Sequence, residues 1–541
     1  MKYRNFFFLI FFSGLLVRSF LLPNHFSHTD DLIVPRTMYL NEEVFEDYVS
    51  ERIDLLSEED SYLADFYYKY NKVLLENFDL AKTIILPLIL SKNTTYAPGQ
   101  YFISSWFNYN ISDSYKMMKV KSRIMNFIWF VILFVGLFYL FKSSNNKLSF
   151  LITPIIISFS WTSIIYSVQS SPYFILILSQ FFYFYFITNY KSSKKKYLLF
   201  TVLLLLPLFN YLNIFFSGIV VFLIFIKDVF RLKIRPIILS LFSLLFFLFV
   251  YFFFLRNKTV RTLNWNTGEN YEFLFSQDSF YEILYFPYFL TKNGFISLVN
   301  HINFTGKFDL ISILIVVILI ALSIFGLYKS FFNNKFRKYF YYILLSFLLI
   351  VSLIFLGKLT LSPTRHTIYL IPLISILSYV GLNNLTLNRN NLFDKYILFF
   401  YFSIFLAWVI YLPSNIENRF DKFDEKFINK VTADYKVNNI VLYDWTYQPI
   451  YMPSFAVDYN FVDKGSRNLI MSRKLRYEDG SILFMSQRND SIQLNIAKKE
   501  FLDNSISLNK VLNIQELSQT EIATLNLTRN GANNLIINIY K

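Results

Sequence analysis

FFFLIFFSGLLVRSFLL (residues 6–22) is followed, after a short polar stretch, by HTDD (residues 28–31). The apolar run is about as long as a helix needs to cross ~30 Å of hydrocarbon. Arg18 near its end, and the lack of a small-residue cleavage pattern, favour an uncleaved anchor over a signal peptide. Asp30 and Asp31 are therefore expected close to the bilayer surface. There they form either the solvated start of a loop or part of a catalytic site.

The composition is that of a polytopic membrane protein. Of 541 residues, 55% are hydrophobic and only 16% are charged, and apolar runs of membrane-spanning length recur along the chain. The net charge of +15 is concentrated in short loops, so it is read as a signal for membrane orientation and not for nucleic-acid binding. The absence of cysteine excludes disulfides, iron–sulfur clusters, thiolate zinc sites and a cysteine nucleophile.

The apolar runs predict a polytopic all-α membrane protein with about eleven transmembrane helices. The predicted spans are 5–22, 124–141, 149–166, 173–189, 197–209, 212–226, 237–255, 310–327, 339–357, 367–382 and 396–412. Spans 197–209 and 212–226 are short and form either one re-entrant hairpin or two tilted helices. Nearly every short loop on the side of the N-terminus carries Lys or Arg, whereas 167–172 and 210–211 carry none. The positive-inside rule therefore places the N-terminus in the cytoplasm.

Three longer segments then fall on the outer side, at 23–123, 256–309 and 414–541. The first contains amphipathic stretches that predict helices on the membrane surface. The last has alternating runs at Asn439–Tyr443 and Asn534–Tyr540, which predict a small soluble α/β or mostly β domain. The predicted organisation is a transmembrane domain over 1–413 and an extracytoplasmic C-terminal domain over 414–541.

Four polar stretches lie on this outer side in a fixed order. They are HTDD (28–31), YAPGQYF (96–102) followed by Asp113 and Arg123, YSVQSSPY (166–173), and SPTRHTIYLIP (362–372). Together they resemble the motifs of the GT-C fold glycosyltransferases, over roughly residues 5–413. The resemblance is closest to the protein O-mannosyltransferase and aminoarabinose-transferase type (glycosyltransferase family 39-like) and to bacterial relatives that glycosylate lipopolysaccharide.

The matches and the departures can be stated motif by motif. In that family an Asp-Glu pair follows the first span, and here it is Asp30-Asp31. A His-Pro-Pro-Leu-Tyr-like motif resembles residues 96–101, with Tyr96 standing where the family has His or Lys. A Tyr-Ser-Gln-x-x-Arg-x-Tyr-like turn resembles 166–173 without its Arg. A late Arg-Tyr-Leu-x-x-x-Pro-like stretch resembles 365–372, with His366 in place of Tyr.

The resemblance implies an inverting transfer of a sugar from a polyprenyl-phosphate donor to an extracytoplasmic glycan, lipid or protein. Such a reaction needs a general base for the acceptor hydroxyl and positive charge at the departing phosphate. The resemblance assigns the base to Asp30 or Asp31. The residues that it implies around the base are Arg365, Arg123 and His366 for the donor phosphate, and Tyr96, Gln169 and Asp113 for the sugar or acceptor pocket.

The remaining expectations concern cofactors, partners and location. No resident cofactor is expected, with a divalent cation left open because some relatives bind one near the second motif. The expected partners are the lipid-linked donor, the acceptor and membrane lipids, and not nucleic acid. The expected location is a bacterial inner membrane. The alternatives are a transporter or flippase for lipid-linked glycans, which predicts ionisable residues inside the spans, a polysaccharide polymerase or ligase, and a membrane scaffold with no enzymatic role.

Overall fold

A computed structural model of the protein describes helices in the first 384 residues and five strands near the C-terminus. The described residues are 2–24, 97–104, 106–107, 115–141, 147–190, 196–229, 234–252, 310–334, 336–355, 367–384, 437–442, 460–463, 481–486, 510–513 and 536–540. They fall in two compact units, the first made of 1–20, 94–100 and 125–409 and the second of 21–93, 101–124 and 410–541.

The helices follow the apolar runs of the sequence. They are α1 (Lys2–Asn24), α2 (Pro98–Ser104), α3 (Tyr115–Phe141), α4 (Lys147–Phe159), α5 (Trp161–Ser167), α6 (Phe174–Asn189), α7 (Lys196–Leu205), α8 (Leu212–Val229), α9 (Ile234–Val250), α10 (Leu310–Phe332), α11 (Arg337–Phe355) and α12 (Leu370–Asn384). A 3₁₀ turn, Leu206–Leu208, links α7 to the loop before α8, and its Pro207 explains the early end of α7.

Three of the described helices are long and apolar enough to cross a membrane: Arg4–Pro23, Val120–Phe141 and Arg337–Ile354. Seven shorter apolar helices of 10–17 residues accompany them. Several helices also carry apolar side chains on faces that nothing in the described chain covers. On α9, for example, Ile238, Phe242 and Leu245 are 58–66% exposed. A largely helical chain with such uncovered apolar faces is suited to a lipid environment.

Each predicted span up to 367–382 coincides with a described helix or pair of helices, with two differences. The predicted span 149–166 is broken at Ser160 into α4 and α5. The helix on 124–141 begins earlier, at Tyr115, because its first turns are rich in Met and Lys, which favour helices but add little hydropathy. The predicted span 396–412 lies outside the described residues.

The first unit is centred on α12, which is buried on nearly all sides between α10 and α4. Gly326 on α10 and Gly381 on α12 allow the closest approach. A Cβ on either glycine would overlap a backbone carbonyl of the facing helix, that of Leu377 or of Leu322. Small residues that let two backbones touch are a common way to join helices in membranes.

This packing predicts a large effect of one added methyl group. We expect Gly381→Ala to lower the free energy of unfolding by about 1–3 kcal/mol, because the two backbones must separate. Gly136→Ala is the matched control, since a Cβ at Gly136 on α3 has nothing within 4 Å. The control is expected to be neutral or to stabilise by up to about 1 kcal/mol through its helix propensity. Thermal unfolding of the two variants in detergent tests this, and equal effects would refute the packing argument.

Polar side chains inside the first unit hold helices together in pairs. Ser179 of α6 donates to Asn213 Oδ1 of α8 at 2.7 Å, and Tyr183 shares a 2.8 Å hydrogen bond with Ser217. On α11, Tyr342 donates to Gln180 Oε1 at 2.6 Å. Paired hydroxyl and amide groups of this kind are expected where helices contact each other in an apolar medium.

The strands lie in the second unit and form a mixed sheet. They are β1 (Val437–Leu442), β2 (Asn460–Asp463), β3 (Ser481–Ser486), β4 (Lys510–Asn513) and β5 (Ile536–Tyr540), in the order β2-β1-β3-β5-β4. β1 is parallel to β2 and β3, whereas β5 is antiparallel to β3 and β4. β1 and β5 fall on the two runs whose alternation predicted strands. The separate soluble domain over 414–541 stays a prediction.

Candidate functional site: an amide-anchored polar turn

The third motif forms a turn between α5 and α6, and its carbonyl groups are held by amide side chains. Asn126 Nδ2 donates to the carbonyl oxygens of Gln169 and, at 2.6 Å, of Ser171. Gln100 Nε2 donates to the Ser170 carbonyl at 2.8 Å, and Asn210 Nδ2 donates to the Pro172 carbonyl at 2.9 Å. Every carbonyl from Gln169 to Pro172 is therefore bonded, and the turn is fixed in one conformation.

Three elements that are distant in sequence supply these amides. Gln100 belongs to α2 and is 70 residues from its acceptor, so the second and third sequence motifs are in direct contact. Gly99 lets α2 approach the 3₁₀ turn before α8, since a Cβ there would lie 2.8 Å from the Leu208 carbonyl oxygen. Asn210 also accepts from the Leu212 N–H at 3.0 Å, which satisfies a donor at the start of α8.

Gln169 is the one residue of the predicted sugar or acceptor pocket within the described chain. It is 5% exposed. A buried amide that offers both a donor and an acceptor suits a polar ligand. Its predicted role in the pocket stays a prediction.

Arg123 was predicted at the outer edge of the second span as a ligand of the donor phosphate. It lies within α3, is fully buried, and donates from Nη1 to the Leu22 carbonyl oxygen at 2.9 Å. Leu22 is in the last turn of α1, where helix carbonyls lack backbone donors. Arg123 therefore stabilises the end of α1, and its predicted role in phosphate binding stays a prediction.

Arg18 was not among the predicted site residues, yet its side chain donates five hydrogen bonds to described residues. Its Nε donates to Ser167 Oγ at 2.7 Å. Nη1 donates to the Gly14 and Ser158 carbonyls at 3.1 and 2.8 Å, and Nη2 to the Ile157 carbonyl and Ser163 Oγ at 2.9 and 3.1 Å. All five guanidinium N–H groups are thus used. The guanidinium also lies 3.7 Å from the centre of the Phe130 ring.

These bonds explain how the break between α4 and α5 is tolerated. At Ser160 the helix is interrupted, so the Ile157 and Ser158 carbonyls lose the backbone donors that a continuous helix would supply. Arg18 supplies those donors. An ionisable residue inside a predicted span often marks a transport pathway. Here every donor is occupied by the protein, which favours a structural role.

Six predicted site residues lie outside the described part of the chain: Asp30, Asp31, Tyr96, Asp113, Arg365 and His366. Their roles remain predictions.

The fourth motif is described only from Thr367 onward. In it the Tyr369 hydroxyl is buried without a partner among the described residues, and the Tyr369 ring lies 6.3 Å from the Phe216 ring. Within the described ranges, no group of three or more His, Cys, Asp or Glu could hold a metal ion.

Asn126 and Asn210 were missed as site residues, although the sequence carries a signal for each. Asn126 is a lone amide in the apolar half of α3, where an unpaired polar group would be costly. Asn210 lies three residues after Pro207, in a short gap between two apolar runs, a position typical of a turn. The sequence does not show that both amides contact the same turn, because that contact depends on how α3 and α8 pack.

No model of a protein family matches the chain, and neither does any curated protein or any solved structure. The evidence on its function comes from three features of the chain itself. They are the amide-anchored turn, the fully bonded Arg18 and the ordered polar motifs of the predicted outer side.

Proposed function

We propose that the chain is an integral membrane glycosyltransferase of the GT-C type. It moves a sugar from a polyprenyl-phosphate carrier to an acceptor outside the cytoplasm. The observation that carries the proposal is the contact between the second and third motifs, through Gln100 and the Ser170 carbonyl. Two stretches singled out for their resemblance to one family meet at one turn, as parts of one substrate site should.

In the proposed reaction an acceptor hydroxyl attacks the anomeric carbon of the bound sugar, and its proton passes to Asp30 or Asp31. The bond from that carbon to the phosphate oxygen breaks, so that polyprenyl phosphate leaves with the electron pair. Attack from the face opposite the leaving group inverts the anomeric centre. Arg365, Arg123 and His366 offset the negative charge that grows on the phosphate.

The proposal includes the number of spans, the membrane face of the site and the role of the C-terminal segment. About eleven spans enclose the lipid carrier, as apolar runs of that number and length suggest. The Asp pair, the third motif and Arg365 lie on the periplasmic face of a bacterial inner membrane. The segment 414–541 is a separate domain that contacts the acceptor. No resident cofactor is invoked, and a divalent cation near the second motif is left for a metal-dependence assay.

Arg18 bears on the choice between a transferase and a transporter. A flippase for lipid-linked glycans needs ionisable groups that are free to bind cargo or ions inside the membrane. Arg18 is an ionisable residue inside a described long apolar helix, and all five of its donors contact the protein. This arrangement leaves it no donor for cargo, and so favours the transferase.

Mass spectrometry of the cell envelope tests the proposed function. Cells that lack the protein are compared with the same cells carrying it on a plasmid. We expect one glycan, lipid or glycoprotein species to be lighter by one monosaccharide when the protein is missing, and to regain that mass with the plasmid. Identical masses for all envelope polysaccharides, lipids and glycoproteins in the two strains would refute the proposal.

A further inference from the structure

Three buried polar side-chain atoms around the amide-anchored turn have no hydrogen-bond partner in the described chain. They are Asn126 Oδ1, Trp129 Nε1 and Ser171 Oγ. Buried polar atoms in folded proteins nearly always have a partner, because leaving one unbonded is costly. Several such atoms close together point to a ligand or to bound water.

The three atoms belong to one neighbourhood. The amide of Asn126 contacts the carbonyls of Gln169 and Ser171, so its Oδ1 lies against the turn. Trp129 follows three residues later on the same face of α3. Its ring meets the Phe209 ring edge-on at 5.8 Å, and the adjacent Asn210 holds the turn at Pro172.

The backbone of the turn adds donors to this cluster. In a trans peptide the C=O and the next N–H point in opposite directions. Because the Ser170 carbonyl is held by Gln100, the N–H of Ser171 is directed away from that anchor. Among the backbone hydrogen bonds described outside the helices and strands, no carbonyl accepts from this N–H or from that of Gln169.

The chemistry of the cluster identifies the kind of ligand. The Trp129 indole and the two N–H groups donate, the Asn126 oxygen accepts, and the Ser171 hydroxyl and the Gln169 amide do both. An anion would be repelled by the Asn126 oxygen, and none of the described residues of the cluster offers a carboxylate to a metal ion. Hydroxyl groups, which donate and accept at once, match this mixture of uncharged partners.

We propose that Asn126, Trp129, Ser171 and Gln169 bind the hydroxyl groups of the sugar on the lipid carrier. This inference rests on the proposed function and adds to it the residues that recognise the sugar itself. A site that hydrogen-bonds a substrate hydroxyl discriminates strongly against analogues that lack it. The cluster therefore determines which donor is accepted.

The competing explanation is that the orphan atoms bond only to buried water. The two explanations differ in what Ser171→Ala and Trp129→Phe would do. Both substitutions remove an atom that bonds to nothing in the described protein, so the turn and its four anchored carbonyls should survive. Ser240→Ala is the matched control, because Ser240 Oγ on α9 is also buried without a partner but lies on a different helix, outside this cluster.

The test is ligand-induced thermal stabilisation of the purified full chain in detergent. The probes are bare polyprenyl phosphate and a panel of polyprenyl phosphates that each carry one hexose or pentose. We expect one sugar-bearing lipid to bind the wild-type chain at least tenfold more tightly than the bare lipid. Ser171→Ala and Trp129→Phe should lose that tenfold preference while still binding the bare lipid, and Ser240→Ala should keep it.

Each outcome decides between the proposals. If every sugar-bearing lipid stabilises the chain no more than the bare lipid does, the sugar site is refuted while the carrier proposal stands. If both cluster variants keep the preference, the sugar site is refuted in favour of buried water. If neither bare nor sugar-bearing lipid raises the unfolding temperature of the wild-type chain, the proposed function itself fails.

Discussion

Arg18→Met is expected to lower the free energy of unfolding by about 3 kcal/mol. The Ser158 carbonyl loses its donor, and a buried carbonyl without a partner costs about 1–3 kcal/mol. The Ile157 carbonyl keeps only the bond from Ser163 Oγ. The contact of the guanidinium with the Phe130 ring, worth about 2 kcal/mol when desolvated, is lost as well. Removing the cost of burying a cation offsets part of this sum.

Arg4→Met is the matched control, since it makes the same substitution on the same helix at an exposed position. The Arg4 guanidinium lies 5.9 Å from the centre of the Phe138 ring, a contact worth at most about 1 kcal/mol at an exposed site, so the effect of the control should stay within about 1 kcal/mol. Arg18→Lys should also destabilise, because an ammonium has three donors where the site has five acceptors. The measurement is unfolding in detergent, with transfer activity followed in parallel. An Arg18→Met chain that keeps its stability but loses activity would show that Arg18 serves a ligand and not the fold.

Several features of the fold could be read from the sequence because they depend on local composition. Apolar runs of about 17–20 residues dictate helices wherever they occur, and the described helices follow them. The break at Ser160 could not be read this way. Ser160 lies in an apolar run, and the break is compensated by Arg18, which is more than a hundred residues away. Hydropathy measures transfer of each residue to lipid and carries no information on such a distant donor.

In the candidate site, too, some features could be predicted from local composition and others depend on how distant helices pack. The polar turn at 166–173 stands out between two apolar runs, and Gln169 was singled out within it. The anchoring by Asn126 and Asn210 depends on which faces of α3 and α8 turn inward, and so required the packed helices. Arg123 illustrates the reverse case, because its place near the start of an apolar run suggested a surface cation. In the structure α3 begins at Tyr115, eight residues before Arg123, so Arg123 is a residue of the helix interior and not of its first turn.

Replacing both Asp30 and Asp31 by asparagine is expected to lower the transfer rate by about 10²–10⁴, the usual contribution of a general base. Asparagine keeps the size and polarity of aspartate but cannot take the proton of the acceptor hydroxyl. Of the single variants, Asp30→Asn should cost more, because the resemblance favours the first acid of the pair as the base. Asp228→Asn, at the end of α8 on the predicted cytoplasmic side, is the matched control and should transfer at the wild-type rate.

The most direct test follows the transfer of labelled sugar from polyprenyl phosphate to envelope acceptors in membranes that contain each chain. Matched protein levels and unfolding temperatures establish that the variants are folded. The account predicts transfer by the wild-type chain and by Asp228→Asn, and a near-complete loss with Asp30→Asn combined with Asp31→Asn. Equal transfer by the double variant and the wild type would contradict it.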